Sequence, residues 1–157
     1  MTKFLIIKGT RDSGKTTTAG MVYKKLLPCA CPKEKIRLTD GDGKALPNDH
    51  SLIEKGKPID FIAYMEVKGR KVAIVSIGDY PEYLEKQIMI YLDKVDFFVC
   101  CLRTRNREGS TRRMLLENYS KYPREEFVTI YSEQENQKYS VKEVVVEKIV
   151  STIMSNQ

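Results

Sequence analysis

Residues 4–16 read FLIIKGTRDSGKT, and this stretch decides the fold of the chain. Residues 4–7 form a continuous apolar run, which is typical of a β-strand buried on both faces. A loop with two glycines follows, and residues 15–27 then predict a helix that Pro28 ends. A buried strand that leads through a short loop into a helix is the unit from which parallel α/β sheets are built.

The alternation of strand and helix continues along all 157 residues. Further strands are predicted at residues 35–39, 61–68, 71–77, 97–102 and 127–131, and further helices at 81–92, 111–119 and 141–154. Only Gly69 and Arg70 separate two of these strands, which indicates a tight antiparallel hairpin. Its first strand is half polar and suits a sheet edge. We therefore predict a single α/β domain over residues 1–157, a three-layer sandwich with a mainly parallel sheet and one antiparallel edge hairpin.

Residues 9–16 match the pattern G-x-x-x-x-G-K-[ST], whose residue types suit the binding of phosphate groups. Gly9 and Gly14 allow the backbone to wrap closely around an anion, so that successive N–H groups point inward. The helix that follows adds its free N–H groups and the positive end of its dipole. The predicted phosphate-binding residues are Gly9, Thr10, Arg11, Asp12, Ser13, Gly14, Lys15, Thr16 and Thr17.

On these residues the chain resembles the P-loop NTPase superfamily, and the order of elements extends the resemblance over the whole chain. The resemblance implies a nucleoside triphosphate, Mg²⁺ and either hydrolysis or phosphoryl transfer. In such a site Lys15 reaches the β- and γ-phosphates, and the Thr16 hydroxyl binds the Mg²⁺ that bridges them.

The resemblance also implies an acid at the end of a buried strand, which holds the hydration shell of the magnesium ion. Asp79 fits this position, because it follows the largely apolar run at 72–77 and Gly78. It also fits the N-cap of a helix that begins near Pro81, and the two roles are compatible. Asp40 and Thr39 are weaker candidates for the metal.

The order of a phosphate loop, a helix, a long polar loop at 40–58 and a hairpin is similar to that of small GTPases. In that family the loop would act as a switch. The guanine-reading N-K-x-D is absent after the strand at 127–131, and D-x-x-G is absent after the hairpin. ATP is therefore favoured over GTP by elimination, and a GTPase-like switch that acts through loop 40–58 is an alternative hypothesis.

An arginine-rich segment follows the apolar strand at 97–102, where ligands bind in open α/β folds. Its members are Arg103, Arg105, Arg107, Arg112 and Arg113. Guanidinium groups bind phosphate oxygens and stabilise negative charge that develops in a transition state. The position of this segment in the chain is similar to that of the arginine-bearing lid of nucleoside and nucleotide kinases. We therefore predict that the catalytic residues are Lys15, Arg103, Arg105 and Arg112. A solvated basic loop and a nucleic-acid surface are the alternatives, and the net charge of +6 suits phosphates and nucleic acid alike.

Composition narrows the class of protein. The longest apolar run has six residues, whereas a membrane-spanning helix needs about 20. The four consecutive apolar residues near the N-terminus are too few for a signal peptide, so we predict a cytoplasmic protein that does not bind membranes. The spacing of Cys29, Cys31, Cys100 and Cys101 is not that of a usual zinc site. The sequence assigns no catalytic base, no phosphoryl acceptor and no protein partner.

Overall fold

The computed structural model describes residues 1–9, 14–78, 80–103, 110–129 and 135–155, without the side chains of 135–141. The elements in chain order are β1 Lys3–Gly9, α1 Lys15–Leu26, β2 Arg37–Asp40, β3 Ile53–Glu54, β4 Lys57–Pro58, β5 Phe61–Val67, β6 Arg70–Val75, α2 Pro81–Tyr91, β7 Phe97–Arg103, α3 Thr111–Asn118, β8 Arg124–Val128 and α4 Glu135–Met154. The fold is mixed α/β, as the alternation of apolar runs and helical segments predicts.

Six strands form one sheet in the order β2-β5-β6-β7-β1-β8, and β3 pairs with β4 in a separate two-stranded ladder. β1 pairs in parallel with both β7 and β8, and β7 pairs in parallel with β6. β5 is antiparallel to both of its neighbours, β2 and β6. The large sheet is therefore mostly parallel, with β5 as its one reversed strand.

The prediction that the 61–77 hairpin lies at the edge of the sheet is wrong. β5 lies between β2 and β6, and the four-residue β2 forms the edge. The half-polar pattern of β5 has another cause: one face is fully buried, and the other is only half covered. Alternation of polar and apolar residues along a strand therefore shows that its two faces are buried to different depths. It does not show that the strand lies at the edge of the sheet. The turn is also one residue earlier than predicted, at Lys68 and Gly69, which both have positive φ as a two-residue hairpin turn requires.

Helices cover both faces of the sheet. Phe4, Leu5, Ile6 and Ile7 are each at most 1% exposed, which confirms the strand buried on both faces. On one face, strand residues pack with α1 and α4 in a cluster that includes Leu5, Ile7, Val99, Tyr23, Val146 and Ile149. On the other face, α2 and α3 complete a cluster that includes Phe4, Ile6, Phe98, Leu84, Ile88 and Leu115. Burial of this much apolar surface is the main driving force for folding.

Two element boundaries differ from the predictions by more than two residues. The sequence predicts β8 at 127–131, but the strand spans Arg124–Val128. It begins earlier because Arg124 already pairs with Phe4 of β1. Its first three residues are charged, and a partly exposed edge strand tolerates them. α4 begins at Glu135, six residues before the apolar periodicity that predicted it. No helix in the described part of the chain is both long and apolar enough to cross a bilayer.

Candidate functional site

A cavity of about 250 Å³ opens at the carboxyl edge of the sheet, and we call it the edge cavity. Its described lining consists of Gly14, Lys15, Thr16, Thr17, Pro58, Asp60, Ser76, Ile77, Gly78, Tyr80 and Cys101. The parallel strands β1, β6 and β7 all end at this edge, so the segments that follow them meet there. Open α/β folds bind their ligands at this edge.

The start of α1 forms one wall of the edge cavity. Gly14 has φ +89°, a left-handed conformation that costs glycine little and other residues about 1–2 kcal/mol. The first helical hydrogen bond runs from the Thr18 N–H to the Gly14 carbonyl at 2.9 Å. The N–H groups of residues 15–17 therefore precede the intrahelical ladder, and among the described residues no side chain caps them. This wall presents the positive end of the α1 dipole to the cavity.

Contacts of both its side chain and its carbonyl hold Lys15 at the same wall. Its Nζ atom donates to the Gly9 carbonyl at 3.2 Å, so the side chain folds back to the end of β1. The thiol of Cys101 donates to the Lys15 carbonyl at 3.5 Å. Cys101 thus belongs to the site, although sequence analysis gave it no role there. Its contact depends on the pairing of β7 with β1, which local sequence does not reveal.

Among the predicted arginines that the structure describes, Arg103 lies at the carboxyl edge of the sheet. It ends β7 directly opposite Gly9 in the parallel ladder. Alternation along β7 places Arg103 on the same face as Val99 and Cys101, which is the face covered by α1 and α4. Arg105 and Arg107 fall in 104–109 and lie outside the described residues.

Arg112 and Arg113 lie on α3, which covers the opposite face of the sheet from α1. The Nε of Arg113 donates to Glu117 at 2.7 Å. Nη2 of Arg112 lies 3.7 Å from Glu126 on β8. Both guanidinium groups therefore engage carboxylates, and neither is among the described residues that line the cavity.

Glu126 is the centre of a partly buried charge cluster on the α3 side of the sheet. Its Oε2 atom accepts a 2.6 Å hydrogen bond from Lys8 Nζ. This bond is the largest cause of a lowered Glu126 pKa; burial opposes it, and the charges of Lys8, Arg112 and Arg124 support it. Because its folded-state pKa is depressed, Glu126 contributes stability that is present above the unfolded pKa of about 4.3 and is lost as the pH falls through the folded value.

We expect Glu126→Gln to destabilise the protein at pH 7 and to have a smaller effect at pH 3, because the stability that the lowered Glu126 pKa supplies is lost progressively as the pH falls. Chemical denaturation at the two pH values measures both differences. Glu125→Gln is the matched control, since Glu125 forms a more exposed pair with Lys3 at 3.1 Å. An effect of Glu126→Gln that is as large at pH 3 as at pH 7 would contradict this account.

Asp60 is the only carboxylate among the described residues that line the edge cavity. β5 is antiparallel to β6, so β5 begins at the edge where β6 ends, and Asp60 immediately precedes it. Two hydrogen bonds fix this start: the Phe61 N–H donates to Ser76 Oγ at 2.8 Å, and the Ser76 N–H donates to the Phe61 carbonyl at 3.1 Å. Asp60 was not predicted as a site residue. The one feature of the sequence that points to it is its position directly before the hairpin.

The other metal candidates are placed differently. Asp79 lies outside the described residues, and its neighbours Gly78 and Tyr80 both line the edge cavity. Asp40 Oδ1 accepts the N–H groups of Asp42 and Lys44, each at 2.9 Å, and so stabilises a turn. Thr39 pairs with β5. Neither Asp40 nor Thr39 is among the described lining residues.

The segment 40–58 is packed against α1. Leu52 is 3% exposed and belongs to the core, and the Tyr23 hydroxyl donates to the Asn48 carbonyl at 2.8 Å. Burial, supported by the negative charge of Asp49, raises the pKa of Tyr23 to about 12. A second cavity of about 330 Å³ lies between α1 and residues 51–58, and it shares Thr16, Thr17 and Pro58 with the edge cavity. The end of this segment is thus part of the site.

The cysteines divide into an exposed pair, Cys29 and Cys31, and a buried pair, Cys100 and Cys101. Burial raises the pKa of the Cys100 thiol well above its ordinary value. Within the described ranges, no group of three or more His, Cys, Asp or Glu side chains is arranged to hold a metal ion.

The edge cavity therefore combines the N–H groups at the start of α1, the ammonium of Lys15, the hydroxyls of Thr16 and Thr17 and the carboxylate of Asp60. No protein-family model, no curated protein and no solved structure matches this chain.

Proposed function

We propose that this protein binds a magnesium–nucleoside triphosphate complex on residues 9–17 and hydrolyses or transfers its terminal phosphoryl group. The observation that carries the proposal is the start of α1. There Gly14, in the left-handed conformation, precedes Lys15. The Lys15 Nζ atom donates a 3.2 Å hydrogen bond to the Gly9 carbonyl oxygen beside the edge cavity. A helix start whose first N–H groups are capped by no side chain of the described residues, and which carries a lysine, attracts phosphate through its N–H groups, its dipole and its charge together. ATP is preferred because the guanine-reading motif is absent.

The size of the edge cavity suits the phosphate chain of such a ligand. Its volume is about 250 Å³, below the range of about 300–1,000 Å³ typical of pockets that enclose a whole drug-sized ligand. The described lining includes hydroxyl, ammonium and carboxylate groups near backbone N–H groups. On this proposal the phosphates enter the cavity and the nucleoside remains outside it.

The oxygen groups of the edge cavity fit a magnesium ion. Mg²⁺ prefers carboxylate, hydroxyl and water oxygens and keeps several of its waters. The Thr16 hydroxyl and the Asp60 carboxylate both line the cavity, and Asp79 follows directly on the lining residue Gly78. Bound there, the ion would neutralise charge on the phosphate oxygens.

The chain's own residues have distinct roles in this proposal. Lys15 exchanges its weak bond to the Gly9 carbonyl for phosphate oxygens, because charge-assisted bonds are stronger than neutral ones. Arg103, opposite Gly9 at the end of β7, supplies a guanidinium for charge that develops in the transition state. The N–H groups of residues 15–17 orient the phosphates.

A thermal shift experiment tests the proposal with ATP, GTP, their diphosphates and pyrophosphate, each with and without Mg²⁺. A ligand at 100 times its Kd stabilises a protein by about 2.7 kcal/mol, which for this size is roughly 5–11 °C in Tm. We expect a magnesium-dependent shift with a triphosphate, and phosphate release or transfer in a parallel assay. The absence of a shift with every one of these ligands would overturn the proposal.

Asp60→Asn is expected to weaken the magnesium-dependent part of triphosphate binding by about 10- to 100-fold, a usual range for groups that support a metal site. Pyrophosphate binding without Mg²⁺ should be unchanged or stronger, since a negative charge is removed. Calorimetry with and without Mg²⁺ separates the two effects. Asp42→Asn is the control, because exposed Asp42 lies outside the described lining. An unchanged magnesium dependence in Asp60→Asn, with a loss in Asp79→Asn, would assign the metal to Asp79.

One observation favours a second candidate function, a nucleotide-dependent switch. Pro58 lies at the end of segment 40–58 and lines both cavities, and Leu52 anchors the segment in the core. Bound phosphates would therefore reach this segment directly. Limited proteolysis within 40–58 should then differ between diphosphate and triphosphate complexes, and identical digestion patterns would argue against a switch.

A further inference from the structure

We propose that Cys29 and Cys31 form a binding site for one Cu(I) ion, a function separate from the proposed nucleotide chemistry. Both side chains are exposed, whereas Cys100 and Cys101 are buried. Cysteine is among the residue types that proteins bury most often, and a free thiol on the surface is usually a liability. Packing therefore does not explain why two exposed thiols lie within three residues of each other.

The backbone holds the two thiols on one side of the chain. Ala30 lies between them in an extended conformation, with φ −72° and ψ 133°. It is 2% exposed and forms an isolated antiparallel bridge with Val67, the last residue of β5. The Cys31 N–H donates to the Glu66 carbonyl at 2.9 Å. Because successive residues of an extended chain point to opposite sides, the burial of Ala30 turns both cysteines toward solvent.

The spacing of the two cysteines suits an ion between the sulfurs better than a bond between them. Two residues of extended chain span about 6.6 Å. This separation of the Cα atoms lies at the upper end of the range of about 4.4–6.8 Å that disulfides bridge. An ion held by two thiolates places two metal–sulfur bonds of about 2.3 Å between the side chains, so it spans the same separation more easily.

The number of donors indicates which metal the pair binds. Soft thiolate ligands select Cu(I), Zn²⁺ and iron–sulfur clusters. Zinc and iron–sulfur sites take three or four protein ligands, and the part of the chain that the structure describes holds no such group of His, Cys, Asp or Glu side chains. Cu(I) has a filled d shell, and two thiolates complete its coordination. The pair therefore fits Cu(I).

The charge beside the pair favours this complex. Binding of one Cu(I) releases the two thiol protons to solvent, so the ion and the two thiolates together carry one negative charge. The Lys33 Nζ atom donates to the Leu27 carbonyl at 2.6 Å, and the same oxygen accepts the Ala30 N–H at 3.2 Å. A cation held next to residue 30 stabilises an anionic complex formed by the residues on either side of it.

The two cysteines lie far from the edge cavity. β5 runs from Asp60, which precedes it and lines that cavity, to Val67, which bridges to Ala30. The 12 residues of α1, a length of about 18 Å, also separate the two places. Metal binding therefore needs no nucleotide, and the failure of either proposal leaves the other standing.

An anaerobic titration with Cu(I), in competition with the chelator bicinchoninate, tests this site. We expect the wild-type protein to bind one ion per chain through two sulfur ligands, which X-ray absorption counts. Cys29→Ser and Cys31→Ser should each weaken binding by about 100-fold or more, because a lost ligand costs more than the about 10- to 100-fold of a lost supporting group. Cys100→Ala is the matched control and should leave Kd unchanged, since Cys100 is fully buried.

If Cys100→Ala fails to fold, treatment of the native wild-type protein with iodoacetamide gives the same comparison. The reagent should alkylate the two exposed thiols and abolish Cu(I) binding. A wild-type protein that binds no Cu(I), or a double variant Cys29→Ser/Cys31→Ser that binds it equally well, would overturn the proposal. Tighter binding of Zn²⁺ than of Cu(I), or coordination by three or more sulfurs, would also overturn it, since both need ligands beyond this pair.

Discussion

Lys15→Ala is expected to weaken Mg–triphosphate binding by about 100-fold or more and to leave the fold intact. In the free protein the Lys15 ammonium makes a 3.2 Å hydrogen bond to the Gly9 carbonyl. A long bond of this kind at a partly exposed site contributes little to stability. Its loss should change Tm by no more than about 2 °C. In the complex the same ammonium would contact phosphate oxygens, where each charge-assisted bond contributes about 1.5–3 kcal/mol.

The effect on turnover should be at least as large as the effect on binding. Groups that stabilise charge developing in the transition state change kcat by about 100- to 1,000-fold when they are removed. Calorimetry measures the affinity, and a phosphate-release assay measures the rate. Lys24→Ala is the control, since Lys24 is exposed near the end of the same helix. Full binding and turnover in Lys15→Ala would show that the loop after β1 does not hold the phosphates.

The second large effect is expected at Gly78, where alanine should lower the free energy of unfolding by about 3 kcal/mol. A Cβ atom on Gly78 would overlap the backbone carbonyl of Cys101. That carbonyl belongs to β7, which is paired in parallel with β1 on one side and β6 on the other. A strand held on both sides cannot move aside, so the loop after β6 must be displaced instead.

Thermal and chemical denaturation measure this loss, which corresponds to roughly 6–12 °C in Tm for a chain of this length. Gly20→Ala is a control with the opposite sign. Gly20 lies inside α1, and the nearest atom to a Cβ there is Leu52 Cδ1 at an ordinary 3.7 Å. Since glycine inside a helix costs about 0.5–1 kcal/mol relative to alanine, this variant should be more stable than wild type. A Gly78→Ala protein as stable as wild type would mean that the loop after β6 lies farther from β7.

Displacement of this loop should also reach the edge cavity, because Gly78 and Tyr80 line it on either side of Asp79. If the proposed function holds, Gly78→Ala weakens magnesium-dependent binding even at temperatures where the variant remains folded. The comparison of its binding with that of Asp60→Asn would then distinguish a lost metal ligand from a moved backbone.

Sequence patterns succeeded where the determining interactions are local. The apolar run at 4–7 predicted a strand buried on both faces, because consecutive side chains of a strand point to opposite faces and all four are apolar. The glycine before Lys15 predicted a special backbone at the start of α1, and Gly14 has φ +89°. Helices α2 and α3 begin and end within one residue of the predictions, since proline and capping residues mark such ends locally.

Sequence patterns failed where distant segments pair. The position of β5 inside the sheet depends on β2, a four-residue strand whose partner no local pattern identifies. The β5–β6 hairpin brings Asp60 to the carboxyl edge, and this acid was missed because no local pattern shows that the start of α1 lies at the same edge. Arg112 looked available for phosphate, yet it lies beside Glu126 on a strand that was predicted three residues too late.

The sequence by itself therefore determined the alternating α/β chain, the strand–loop–helix unit at 4–16 and the glycine and lysine on which the proposed function depends. These follow from backbone conformation and hydrophobic periodicity, which act over a few residues. Only the tertiary structure decided that Asp60 and Cys101 lie beside that unit. The reason is physical: such neighbours are set by strand order and helix packing, which satisfy the burial of the whole core rather than the preferences of any one segment.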